Sequence, residues 1–149
     1  MDWKTAAREG QQAFVEHQYV RALACHRQAL QQALAGFEGL ARQDMDAAIA
    51  SVVVSYINMA ECHALLHQGD EVHRCLGQAD AFIGTLCEQQ TLRGSRACHR
   101  AASLLRQEAL ALLRRYAVSP DALGRSYESS GTAAASNGCT TFSHTKGLH

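Results

Sequence analysis

The segment Ser51-Val52-Val53-Val54-Ser55 decides the fold class, because its valines favour a β-strand while the residues around it favour a helix. On both sides of the valines, apolar residues recur at spacings of three and four, the period of one helical face. The segment is therefore predicted to lie inside a helix of about residues 46–67. The predicted buried face of this helix consists of Ile49, Val53, Tyr56, Ile57, Ala60 and Ala64.

The same period predicts four further helices, so the chain is expected to be all-α. Asp2 is a plausible N-cap of the first helix, and Asp44 or Asp46 of the third. Gly36 and Gly39 are expected to loosen the chain between the second and third helices. The four further predicted helices cover residues 2–16, 19–34, 70–88 and 92–116. The predicted buried face of the second helix consists of Ala22, Leu23, His26, Ala29, Leu30 and Ala33.

The helical pattern ends well before the chain does. Residues 1–116 are predicted to form one helical domain, and residues 117–149 a mostly disordered tail. The segment Ser129–Thr145 is rich in small and polar residues and has too little apolar surface to offset the entropy cost of ordering. Disorder is therefore expected over roughly 128–149, with one more helical turn at 120–127.

The charges balance overall but are unevenly distributed. The chain has 14 basic and 14 acidic residues, which argues against general binding to nucleic acid. Residues 37–91 carry eight acids against two arginines, whereas residues 92–115 carry six arginines against Glu108. Two interpretations stay open: the basic last helix packs beside the acidic middle, which we favour, or it offers a site for an acidic partner.

The composition also predicts the compartment. No signal peptide is visible at the start of the chain, and no run approaches the roughly 18 apolar residues of a membrane helix. We therefore expect a cytoplasmic protein without a membrane partner. Five of the six cysteines fall inside helical patterns, so they are expected to be reduced thiols that pack as small hydrophobes.

Two helical hairpins, 2–34 and 46–88, share a pattern of small residues. Such residues let two antiparallel helices approach closely, and a hairpin that cannot bury its apolar face alone needs a neighbour. On this pattern residues 3–116 resemble a tetratricopeptide-repeat (TPR) protein, similar to short bacterial members, with two hairpins and a capping helix. The two repeats start at Trp3 and Val53, an offset of 50 residues where 34 is usual. The matching positions are Gly10, Tyr19, Ala22 and Ala29, then Ala60, Leu76 and Ala79.

The resemblance implies a binding face, because TPR proteins generally hold peptides on the concave side formed by the first helix of each pair. Asn58 matches the asparagine that some TPR domains use to clamp a terminal carboxylate, but Ala7 and Gln11 depart from that pattern. The expected partner is a protein or peptide that the sequence does not identify. The residues expected to contact it are Lys4, Gln11, Asn58, Glu61, Arg96 and Arg100.

A metal site is the sharpest alternative. His63 and His67 are four residues apart on one helix, a spacing that can chelate zinc, and Cys75 lies on the next helix. Against this, the chain has no CxxC or HExxH motif, so we expect no metal and no cofactor, with these three residues as runner-up ligands. A metal- or thiol-responsive protein remains an alternative function.

No catalytic constellation is visible. The chain lacks GxGxxG, Walker and GxSxG motifs, and adjacent Cys-His pairs on a helix do not face each other. We therefore expect no enzyme and no catalytic residues. The favoured function is a protein-binding adaptor or chaperone-like module, and a self-associating structural protein that forms homo-oligomers is a further alternative.

Overall fold

All regular elements of the described chain are α-helices, which confirms the all-α prediction. The structure, a computed structural model, describes residues 2–89 and 92–117. The predictions for the tail beyond 117, including the helical turn at 120–127, fall outside these residues. The helices are α1 (Trp3–Val15), α2 (Tyr19–Ala35), α3 (Phe37–Gln43), α4 (Met45–Leu65), α5 (Gly69–Gln89) and α6 (Leu92–Arg115).

The valine segment lies within α4, as predicted. Val52 and Val53 are fully buried, because α2, α3, α5 and α6 all pack against α4. The buried hydroxyls of Ser51 and Ser55 donate to the carbonyls of Ala48 and Ser51, each at 2.7 Å, so they leave no unsatisfied donor in the core. Burial by neighbouring helices thus outweighs the strand propensity of the valines.

Two aspartates cap helices. The Asp2 carboxylate accepts a hydrogen bond from the Thr5 amide at 2.8 Å, and the Asp44 carboxylate accepts one from the Ala47 amide at 3.0 Å. Each bond satisfies one of the free N–H groups at a helix start. Of the two candidates for the third predicted helix, Asp44 is therefore the cap, and Asp46 lies in the first turn.

The chain between the second and third predicted helices is more ordered than the glycines suggested. Gly36 is followed at once by α3, which contains Gly39. The Phe37 ring packs edge-on against the Phe82 ring of α5, with 5.4 Å between ring centroids. This aromatic contact anchors the short helix to the rest of the molecule, so the prediction of a loose connection was wrong.

The same type of turn follows α1 and α4. His17 and His67 have left-handed backbones, with φ of 60° and 58°. The amides of Gln18 and Gln68, which follow them, donate back to Ala13 and His63 carbonyls at 2.8 and 2.9 Å, as in a Schellman motif. Each turn reverses the chain, so that α1 packs against α2 and α4 against α5.

The core extends around α4. The buried face predicted for the second helix is confirmed, but α4 buries residues on several sides instead of one. By length and composition alone, α4 is the one described helix that could cross a membrane, although most of that stretch is buried inside the fold. Its apolar character is accounted for by these contacts. The buried α4 residues outside the predicted face include Ala48, Val52, Met59, Cys62 and His63.

Candidate functional site

An open groove of about 420 Å³ lies between α1 and α4. α1 makes few contacts with α4, whereas both helices pack closely against α2. Five of the lining residues come from α1 at helical spacing, so they share one face of that helix. The groove is lined by Trp3, Lys4, Ala7, Arg8, Gln11 and Asn58.

The groove is basic and rich in hydrogen-bonding groups. Lys4 and Arg8 are one helical turn apart on α1, and the Lys4 ammonium lies 5.9 Å from the centre of the Trp3 ring. Gln11 and Asn58 contribute side-chain amides, which can both donate to and accept from a peptide backbone. The groove therefore offers two cations and two amides to a ligand, with no carboxylate among its lining residues.

The structure brings together three of the six residues predicted to contact a partner: Lys4, Gln11 and Asn58. Sequence reasoning missed Trp3 and Arg8, which line the same groove. The signal for Arg8 was present, because it follows Lys4 by four residues and must share its face of α1.

Glu61 is not among the residues that line the groove, and its carboxylate is bound within the chain. Its Oε1 atom accepts hydrogen bonds from Arg115 Nη1 at 2.8 Å and from the Tyr116 hydroxyl at 2.9 Å. Burial and the Glu61 carboxylate raise the pKa of Tyr116, which keeps the phenol protonated. Glu61 therefore joins the end of α6 to α4.

Arg100 is also engaged within the chain. Its guanidinium binds both carboxylate oxygens of Asp46 on α4, with Nη2 2.7 Å from Oδ2 and Nε 3.0 Å from Oδ1. Arg96 is exposed and makes no ion pair with the described residues. These contacts favour the interpretation in which the basic last helix packs beside the acidic middle of the chain.

The runner-up metal ligands are not brought into one cluster. His63 is buried and its Nδ1 lies 2.6 Å from Gln68 Oε1, whereas His67 is exposed in the turn. Within residues 2–89 and 92–117, no three His, Cys, Asp or Glu side chains are placed to hold a metal ion. Burial raises the pKa of Cys75 to about 11, so its thiol is protonated at neutral pH.

The Cys62 thiol on α4 is also unreactive in its surroundings. Burial raises the pKa of the Cys62 thiol to about 12, which disfavours the thiolate that a nucleophile or a redox sensor requires. The Nδ1 atom of His63, next in the chain, is hydrogen-bonded to Gln68 and not to this thiol.

These observations define an all-helical protein with an open, basic groove between its first and fourth helices. The chain belongs to the family DUF2753, described as a protein of unknown function, whose family model matches residues 1–146. No curated protein and no solved structure matches the chain significantly.

Proposed function

We propose that this protein is a protein-binding adaptor or chaperone-like module with TPR-like architecture, which holds a peptide segment of its partner in the groove between α1 and α4. The observation that carries the proposal is the convergence of Lys4, Gln11 and Asn58 on that groove. Lys4 and Gln11 share one face of α1, whereas Asn58 is brought to them from α4. An open surface with cations and amides suits an extended peptide better than a small buried substrate.

The TPR-like arrangement is supported by a repeat of 50 residues in the backbone. Helices α1, α4 and α6 end at Val15, Leu65 and Arg115. A left-handed residue follows each of them two positions later, at 17, 67 and 117. This interval supports α1 and α4 as the first helices of two hairpins, α2 and α5 as their second helices, and α6 as the capping helix.

Close packing within the hairpins agrees with this arrangement. Gly10 on α1 lies against the ring of His26 on α2, and the Phe14 and Tyr19 rings meet near the turn at 5.5 Å. The contacts run in opposite order along the two helices, so α1 and α2 are antiparallel. Small residues at the contact permit the approach that the TPR pattern requires.

Site-specific photo-crosslinking tests the proposal. A photoreactive amino acid replaces Gln11 in the groove, and the matched control carries it at Gln31, which is exposed on α2. In cells of the source organism, we expect a discrete crosslinked protein from position 11 and none from position 31.

A blocking variant sharpens this experiment. Ala7→Trp fills part of the groove and should abolish the crosslink while the circular dichroism spectrum of the protein is retained. The proposal fails if position 11 gives no crosslink, or if positions 11 and 31 capture the same proteins.

A further inference from the structure

Two ion pairs fix the register between α4 and α6. Arg100 in the third turn of α6 binds Asp46 in the first turn of α4, and Arg115 binds Glu61 near the ends of both helices. The partners are 54 residues apart in both pairs, so α4 and α6 run parallel at a constant register. The two bridges are about 22 Å apart along the helices.

Exposed apolar side chains lie between these bridges. Val54 is 39% exposed and Leu104 is 42% exposed. On α4 the exposed Ala50 and Val54 follow Asp46 at intervals of four, and on α6 the exposed Leu104 and Ala111 fall between the two bridging arginines at helical spacing. We call Ala50, Val54, Leu104 and Ala111 the apolar strip.

The apolar strip continues into the groove. Val54 and Asn58 are one helical turn apart on α4, and Asn58 faces Lys4 and Arg8 of α1 across the groove. From α1 to α4, the surface therefore changes from cationic, through amide, to apolar, and on α6 the exposed Leu104 lies among polar residues that include Glu108. A ligand that follows this face from α1 to α4 meets these chemistries in that order.

The cations of the groove are available to a ligand. The two carboxylates that bound the apolar strip, Asp46 and Glu61, are each paired with an arginine of α6. Within the part of the chain that the structure describes, no carboxylate forms an ion pair with Lys4 or Arg8. The exposed Glu108, one turn from Leu104, disfavours an acidic group at the α6 side.

We propose that this face binds an amphipathic peptide segment of a partner protein, which places carboxylates over Lys4 and Arg8 and apolar side chains on the apolar strip. The inference rests on the proposed function and adds to it the chemistry and direction of the peptide. The positive charges of the groove favour the acidic end of the peptide, and the exposed Val54 and Leu104 favour its apolar end.

Selection from a displayed library of random peptides on the full chain tests the inference. We expect enriched peptides to carry aspartate or glutamate at one end and apolar residues at the other. A fluorescein-labelled copy of the most enriched peptide then serves as the probe, and its affinity is measured by fluorescence anisotropy.

Charge reversal on the protein supplies the decisive comparison. The double variant Lys4→Glu/Arg8→Glu should weaken binding of the probe about tenfold, because two attractions become repulsions at a screened surface. The matched control Arg21→Glu/Arg27→Glu, on exposed positions of α2, makes the same change in net charge and should leave the affinity unchanged. Leu104→Asp should weaken the same probe through loss of apolar contact.

The outcomes separate the two proposals. If the enriched peptides are neutral or basic and the Ala7→Trp variant no longer binds them, the inference is overturned, but the groove is still a peptide-binding site. Enrichment of no peptide at all would overturn both. Equal weakening by the two charge-reversal pairs, or a dimer seen by sedimentation that Lys4→Glu/Arg8→Glu dissociates, would also overturn the inference.

Discussion

The imidazole ring of His26 lies directly against the α-carbon of Gly10. A Cβ atom built on Gly10 would be 2.6 Å from His26 Cε1 and 2.8 Å from Nδ1, closer than non-bonded atoms approach. Both residues are buried, and their contact joins α1 to α2. Glycine is therefore required at this position by the close approach of the two helices and not by an unusual backbone angle.

We expect Gly10→Ala to destabilise the protein by about 1–3 kcal/mol, because the buried ring must shift in a packed core. The measurement is urea unfolding followed by circular dichroism. Gly39→Ala is the matched control: nothing lies within 4 Å of a Cβ at that position of α3, so alanine should be neutral or stabilise the protein slightly. Equal effects of the two substitutions would contradict the role given to His26.

Burial also makes His26 a source of pH-dependent stability. Desolvation holds the pKa of His26 below its ordinary value of 6.5, and the Glu61 carboxylate opposes this more weakly. The unfolded chain therefore binds a proton that the folded chain does not, and the free energy of unfolding falls as the pH drops below about 6.5. His26→Phe keeps a ring that cannot titrate, so it should reduce the loss of stability between about pH 7.5 and about pH 5.5. An unchanged pH dependence in this variant would contradict the depressed pKa.

Local periodicity predicted most of the fold. The buried face of α2 was identified residue by residue, since Ala22, Leu23, His26, Ala29, Leu30 and Ala33 face a single direction on a helix with two clear sides. The same reasoning failed in part on α4, because four helices surround it and leave no long polar face. α3 was missed because the glycines signalled a loop, whereas the segment is helical and its Phe37 ring packs against Phe82, which is distant in sequence.

The groove was predictable only in part. Its residues on α1 follow from helical spacing, but the facing Asn58 was reached through the TPR resemblance and not through any local signal. Arg100 and Glu61 were assigned to partner binding, and the structure places both in contacts between α4 and α6. Whether two side chains 54 residues apart in sequence form an ion pair depends on the register between their helices. The periodicity within each helix does not specify that register.

The Arg100–Asp46 bridge provides a direct test of that register. Because both side chains are largely exposed, the pair should contribute roughly 0.2–1 kcal/mol, with the bidentate geometry favouring the upper part of that range. A double-mutant cycle with Arg100→Gln and Asp46→Asn measures this coupling by urea unfolding. The Arg74–Glu71 pair within α5 is measured by the same cycle as a control, because it does not depend on the packing of two helices. The coupling energy of both pairs should become smaller in about 1 M salt. Zero coupling between Arg100 and Asp46 would contradict the stabilising contribution given to this bridge.

Cysteine reactivity separates the described thiols by burial. Burial raises the pKa of Cys62 to about 12 and that of Cys75 to about 11, whereas Cys25 is only partly buried. Iodoacetamide attacks the thiolate, so at about pH 8 we expect Cys25 to be modified well before Cys62 and Cys75. Mass spectrometry of timed samples measures the order, and unfolding in urea should bring the three rates together. Modification of Cys62 or Cys75 as fast as Cys25 in the folded protein would favour the thiol-responsive alternative, because a reactive buried thiol would need an activating group near α4.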